Sequence, residues 1–195
     1  MSSDRLARPE PGEVDVWRVG LGAAARRALR EILAGYLGGT AAGVELVVEE
    51  RGKPRLADPA PALSFNLSHS GGLALVAVAS GGIEVGVDVE QVRPRRDLVR
   101  LAARWLPEGD AEAVAAAPAA EREGVFYAAW TRYEARAKCT GAGISGPAPG
   151  PEVVAVPVDI DPGYAAAVAV DTAPTAAAAA LEGAPIFVRR FEFTA

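Results

Sequence analysis

Three short apolar segments, Phe65–Leu67, Leu73–Ala79 and Ile83–Glu90, follow one another with Ser70-Gly71-Gly72 and Ser80-Gly81-Gly82 between them. Valine-rich runs of this length, closed off by Gly and Ser, read as consecutive strands. Further strands are predicted over Val14–Val19, Val44–Glu49, Val153–Ile160, Ala165–Val170 and Ile186–Phe193. Leu29, Ile32, Leu33, Tyr36 and Leu37 recur at helical spacing, which predicts a helix over Ala23–Leu37 that Gly38-Gly39 stops. Arg95–Trp105, Ala111–Ala117 and Glu121–Cys139 are further helices, the last ended by Gly141 and Gly143. Arg51-Gly52-Lys53-Pro54 reads as a turn, Pro147–Pro151 as an exposed loop, and Ala173–Leu181 as low-complexity sequence. Strands and helices form two mixed sets, which divides the chain into halves of residues 1–92 and 93–195. Val76-Ala77-Val78 recurs at residues 168–170, a weak repeat signal that fits a duplicated half.

Half of the 195 residues are apolar, enough for a sizeable core and incompatible with intrinsic disorder. No run reaches the ~18 apolar residues of a membrane helix, and Met1–Pro11 has no signal-peptide core. One cysteine, Cys139, allows no internal disulfide, and one cysteine with one histidine does not make a zinc cluster. A net charge of −5 argues against a nucleic-acid binder. A soluble cytoplasmic protein with neither nucleic acid nor membrane as partner is expected.

Eighteen of the 20 basic residues are arginine, and only Lys53 and Lys138 are lysine. A compact ammonium suits a phosphate or carboxylate at one spot, whereas guanidinium is a planar fork. Chance is the ordinary alternative.

Ile83–Glu90 alternates: Ile83, Val85, Val87 and Val89 face one side, and Glu84, Gly86, Asp88 and Glu90 the other. Asp88 and Glu90 then project together, about 7 Å apart. An amphipathic strand with a wet face accounts for this, and so does a pair of carboxylates held around a hard divalent ion such as Mg2+. On the helix over Glu121–Cys139, Trp130, Glu134 and Lys138 fall at i, i+4 and i+8 and share a face. An ordinary Glu–Lys helix pair worth ~0.3–0.5 kcal/mol is the plain alternative. The single histidine, His69, lies in Phe65-Asn66-Leu67-Ser68-His69-Ser70. It either caps a turn or, with the flanking hydroxyls and Gly71-Gly72, rims a place for an anionic group. Gly141–Gly146 matches G-x-G-x-x-G but follows a helix and runs into prolines, so it terminates a helix and is no dinucleotide loop.

Together Gly52-Lys53-Pro54, Phe65–Ser70 (FNLSHS), Gly86–Glu90 (GVDVE) and Trp130–Lys138 (WTRYEARAK) resemble, in order and spacing, the surfactin-synthetase-activating type of 4′-phosphopantetheinyl transferase. The likeness runs from about Arg26 to Ala169. It implies an α+β, pseudo-twofold fold of two similar α/β halves with coenzyme A in the cleft between them. The implied reaction moves the phosphopantetheine arm of coenzyme A to a serine of an acyl or peptidyl carrier protein, from a fatty-acid, polyketide or nonribosomal-peptide synthase, and releases 3′,5′-ADP. Carried over by position, Asp88, Glu90 and Glu134 are the expected Mg2+ ligands, with Mn2+ the other candidate. Glu134 is the expected general base, and Lys138 stabilises the pyrophosphate. Lys53 and Pro54 lie along the adenine and ribose, and Ser68 and His69 hold phosphates. A monomer is expected, because two halves already complete the cleft.

Two departures accompany the resemblance. Tyr133 stands where relatives commonly have lysine, removing a charge-assisted bond worth ~1.5–3 kcal/mol, with Arg132, Arg136 or the tyrosine hydroxyl as compensation. The basic stretch that relatives carry before the first core helix is shortened, leaving Arg26, Arg27 and Arg30, so weaker discrimination for the 3′-phosphate is expected. Arg93, Arg95, Arg96, Arg100 and Arg104 offer a basic surface for an acidic carrier protein, or a plain solvated face. Two rival readings remain: a degenerate relative that binds coenzyme A or a carrier protein without efficient turnover, and an unrelated, metal-independent hydrolase built on Ser68 or Ser70 with His69 and an acid.

Overall fold

The computed structural model describes residues 5–10, 12–20, 25–58, 62–172 and 186–194. The elements in chain order are β1 (Glu13–Gly20), α1 (Ala25–Leu37), β2 (Leu46–Val48), β3 (Pro54–Leu56), β4 (Ser64–Ser70), β5 (Leu73–Ala79) and β6 (Val85–Gln91). There follow α2 (Leu98–Trp105), α3 (Glu108–Ala116), α4 (Arg122–Thr140), β7 (Val153–Pro157), β8 (Tyr164–Asp171) and β9 (Phe187–Phe193).

The fold is α+β, and four layers stack as helix, sheet, sheet, helix. The first sheet has the order β4-β5-β1-β9 and the second β6-β8-β7. The valines of the β6 alternation, Val85, Val87 and Val89, pack between the sheets against Val14, Val16 and Leu75 of the first and Val168 and Val170 of the second. On the outer face of the first sheet α1 lays down Leu29, Ile32 and Leu33 against Phe65, Ala74, Val76 and Val78. The helical spacing of the α1 residues is what aims them there. Helix α4 covers the outer face of the second sheet, with Ala135 and Cys139 on Val153, Ala167 and Ala169. Helices α2 and α3 pack on its first half through Leu98, Ala102, Val114, Phe126 and Tyr127.

Each sheet contains the same arrangement. A first strand leads to a long helix and then to a hairpin, and the hairpin's second strand pairs antiparallel with the first strand: β4-β5-β1 in one, β7-β8-β6 in the other. Val76–Val78 and Val168–Val170 fall on the equivalent strands β5 and β8. Strand β9 breaks this likeness, because it returns to lie parallel beside β1. Arg189 of β9 fixes it there, donating to both oxygens of the buried Asp15 at 2.6 and 2.9 Å while the Tyr36 hydroxyl donates to the same carboxylate at 2.5 Å. Trp17 stacks on Phe191 with ring centroids 4.7 Å apart.

Several boundaries differ from the pattern-based expectation. Strand β4 runs through Ser68, His69 and Ser70, which the pattern left at a strand's end, because β5 pairs with it along its whole length. Pro54–Leu56 forms a strand against β2 and not merely the end of a turn. Ile83 and Glu84 precede β6, and α2 begins at Leu98, since Asp97 has left-handed backbone at φ 65° that a right-handed helix cannot run through. The predicted helix start at Ala23 and the Ala173–Leu181 stretch lie outside the described residues.

Candidate active site

Strand β6 is buried on both faces from Val85 to Val89, so the side carrying Gly86, Asp88 and Glu90 is no wet surface. Helix α4 and strand β4 cover it. The close approach of α4 depends on Gly86: a Cβ there would collide with the Ala135 carbonyl and the Cys139 backbone. With that gap closed, the last turns of α4 bring Glu134 and Lys138 over Asp88.

Strand β4 reaches β6 by side chains. Asn66 Oδ1 accepts from the Val87 N–H at 3.0 Å, Ser68 Oγ from the Val89 N–H at 3.4 Å, and Ser70 Oγ from the Gln91 N–H at 3.1 Å. Alternate residues of one strand thus satisfy alternate backbone donors of the other and join the two sheets where no backbone ladder does. Asn66 received no role from the sequence, and Ser70 only that of a hydroxyl flanking His69 or a hydrolase nucleophile, although the period of two that joins both to Ser68 was there to be read.

The serines also hold the carboxylates. Ser68 Oγ donates to Asp88 Oδ1 at 2.8 Å, and Ser70 Oγ to Glu90 Oε2 at 2.8 Å. Lys138 Nζ donates to Asp88 Oδ1 at 2.6 Å and to Ser68 Oγ at 2.9 Å, and stands 4.0 Å from Glu134 Oε2. The structure therefore brings Ser68, Asp88, Glu134 and Lys138 together, with Glu90 attached through Ser70. Burial pushes the Glu134 carboxyl up to about 7, and the charges of Asp88 and Glu90 push the same way while Lys138 opposes them. Burial also raises Asp88 above the usual carboxylate range, against the pull of Lys138 and Ser68.

The chemistry of this donor set fits a hard divalent cation. Asp88 Oδ2 is buried and has no hydrogen-bond partner, an arrangement that costs about 1–3 kcal/mol if nothing else meets it. Three carboxylates with no sulfur or imidazole among them suit Mg2+ or Mn2+ over zinc. Among the described residues no three His, Cys, Asp or Glu side chains stand in ligand geometry as they are; Lys138 is seated on Asp88, and Ser70 holds Glu90.

The other singled-out residues lie apart. His69 is exposed, because strand alternation turns it from the face that Ser68 and Ser70 share. Lys53 is buried, and its ammonium donates to Glu84 Oε2 at 2.6 Å and to the Cys139 carbonyl at 2.7 Å. Its stem and Pro54 line a cleft of about 260 Å3 with Leu56, Leu63 and Phe65. Tyr133 donates its hydroxyl to the Ile144 carbonyl at 3.1 Å, Arg132 pairs with Asp110, and Arg136 donates to the carbonyls of Pro149 and Gly150. All three side chains considered as substitutes for the missing lysine are thus engaged in holding α3 or the loop after α4.

The family model for the 4′-phosphopantetheinyl transferase superfamily matches residues 84–185, just over half of the chain, and spans β6, α4 and β8 with their carboxylates and lysine. The chain belongs to this superfamily. Its matched part is 40% identical over 147 residues to a protein named 4′-phosphopantetheinyl transferase HetI, from Nostoc sp., covering 74% of this chain and 61% of that relative. It is 34% identical over 122 residues to a putative 4′-phosphopantetheinyl transferase from Synechocystis sp., covering 62% of this chain and 49% of the relative. With 4′-phosphopantetheinyl transferase AcpT from Salmonella typhimurium it shares 38% over 97 residues, half of each chain. The chain thus spans about half to three-fifths of the length of the curated relatives it matches. No helix among the described residues of this superfamily member is long and apolar enough to cross a membrane.

Proposed function

We propose that this chain is a 4′-phosphopantetheinyl transferase of the surfactin-synthetase-activating type, moving the phosphopantetheine arm of coenzyme A to a serine of an acyl or peptidyl carrier protein and releasing 3′,5′-ADP. The observation that carries the reading is the bonded set Ser68–Asp88–Lys138, with the near-neutral Glu134 carboxyl 4.0 Å from the Lys138 ammonium. The names of its relatives support it.

Asp88, Glu90 and Glu134 are the residues that would hold Mg2+ or Mn2+, which when bound neutralises diphosphate oxygens. The rest falls to the chain itself. Glu134 takes the proton of the carrier serine as the serine oxygen bonds to the phosphorus that bears the pantetheine arm. The bond from that phosphorus to the bridging oxygen breaks. Lys138 Nζ, oriented by Ser68 Oγ, then donates to the departing 3′,5′-ADP oxygen and stabilises the charge that develops there. The nucleoside end of coenzyme A lies along the cleft of Pro54 and the Lys53 stem, and Ser68 and His69 serve its phosphates. The exposed Arg93, Arg95, Arg96, Arg100 and Arg104 begin three residues after Glu90, and a groove of about 520 Å3 lined by Leu98, Val99 and Arg100 runs between α2 and the start of α4. That surface offers charge complementarity to an acidic carrier protein from a polyketide, nonribosomal-peptide or fatty-acid synthase. The protein works as a cytoplasmic monomer.

Mixing the protein with an apo carrier protein, coenzyme A and Mg2+ and weighing the carrier by mass spectrometry tests the proposal. A gain of one phosphopantetheine per carrier is expected, abolished by Asp88→Asn. An unmodified carrier across acyl and peptidyl types would leave a binding protein without turnover.

A further inference from the structure

The chain's only two lysines both fasten the last turn of α4 to β6. Lys138 does so at Asp88. Lys53 acts one residue further along α4: its side chain is 6% exposed, and its ammonium joins Glu84, just before β6, to the Cys139 carbonyl of α4. Arg55 Nη1 holds the second Glu84 oxygen at 2.5 Å, and Cys139 Sγ donates to the Glu84 carbonyl at 3.3 Å. Burial alone would raise the Glu84 carboxyl, yet Lys53 and Arg55 together hold it below the usual range.

We infer that Lys53 is a positioning residue, whose ammonium ties the C-terminal turn of α4 to Glu84 and thereby sets Lys138 against Asp88 and Ser68. The last carbonyls of a helix have no partner within it, and a cation at that end satisfies them and complements the helix dipole. Here one cation meets such a carbonyl and a carboxylate on the neighbouring sheet at once. Gly141 ends α4 in left-handed backbone at φ 70°, and Lys53 Cδ lies 3.7 Å from where a Cβ on that glycine would stand. The space suits a slender tetrahedral ammonium with three donors. A planar guanidinium, which the chain uses at eighteen of its 20 basic positions, cannot aim at both acceptors from there. Lys138 is the residue before Cys139, so freedom at the Cys139 carbonyl becomes freedom at the reacting centre.

The catalytic part of this inference rests on the transferase reading, and the test separates the two. Lys53→Met, Lys53→Arg and Glu84→Gln are compared with the wild type by transfer kinetics and by hydrogen exchange of the full chain. Lys53→Met, which keeps an apolar stem along the coenzyme A cleft, should lower kcat roughly 10- to 100-fold through misplacement of Lys138, while KM for coenzyme A changes less than kcat does. Amides of residues 139–142 should exchange at least roughly tenfold faster while those of residues 125–132 keep their protection. Lys53→Arg should not restore kcat. Glu84→Gln, which leaves the lysine in place, should give the same pattern more weakly and carries the test if Lys53→Met does not fold. A rise of tenfold or more in KM with kcat unchanged would make Lys53 a direct ligand of coenzyme A and overturn the inference. Unchanged exchange at residues 139–142 would overturn it as well. If the wild type transfers nothing to any carrier, the transferase reading falls, and the exchange data still decide whether Lys53 holds the helix end.

Discussion

The Ala135 carbonyl of α4 sits directly over Gly86 of β6, too near for any side chain to stand between them. Gly86→Ala should therefore push α4 off the sheet. Overpacking of this kind costs about 1–3 kcal/mol, and here the neighbour is backbone that cannot swing aside. Urea unfolding should show the loss of stability. Transfer activity in the folded fraction should fall further than stability does, because Glu134 and Lys138 move with the helix. Full activity in a folded Gly86→Ala protein would contradict the contact.

Lys138→Met removes two bonds from the buried acidic centre and leaves Asp88 Oδ1 with Ser68 alone. Breaking a buried pair costs about 3–5 kcal/mol, and the partial exposure of Lys138, 30%, puts the expected loss at or below the lower end. Transfer should fall by about 100-fold or more, the usual effect of losing a donor to a developing anion. Denaturation midpoints and single-turnover rates read the two effects separately.

The side-chain joints between β4 and β6 should differ in worth. Asn66→Ala leaves the buried Val87 N–H without its acceptor, a loss of about 1–3 kcal/mol. Ser70→Ala acts at the half-buried end of the strand, where water can replace the hydroxyl, and should cost less than Asn66→Ala. Equal losses in chemical denaturation would show that the joints do not depend on burial.

Burial pushes the Cys139 thiol up to about 12, with the Lys53 charge pulling the other way. In the unfolded chain a thiol ionises near pH 8.5. Between those values the unfolded chain has lost the proton and the folded one keeps it, so this residue's contribution to stability is complete below about pH 8.5 and declines as pH rises towards 12. The slope is at most about 1.4 kcal/mol per pH unit. Unfolding measured at pH 7.5, 9 and 10 should decline less steeply in Cys139→Ala, and iodoacetamide should leave the native thiol unreacted at pH 8.

Arg27 pairs with Glu31, and Arg30 donates to the Val44 carbonyl, which draws two of the three basic residues of α1 away from a ligand phosphate. Coenzyme A and its 3′-dephospho form should then serve as donors within about tenfold of each other in kcat/KM. A strong preference for coenzyme A would place a 3′-phosphate site elsewhere.

Local pattern made much of this protein legible. The alternation over Ile83–Glu90 and the i, i+4, i+8 series of Trp130, Glu134 and Lys138 named the two elements whose polar faces meet, because which residues share a face is a property of backbone geometry. What covers a face is not. A strand that alternates valine with small and acidic residues reads the same whether water or a helix lies beyond it, and only the packed chain shows α4 settled on Gly86. The pairing of Asn66 with Val87 and the capture of Lys53 by Glu84 and Cys139 likewise join positions 21 to 86 residues apart. Such contacts exist only once two sheets have been pressed together by the burial of their valines, and that apposition is a property of the whole chain.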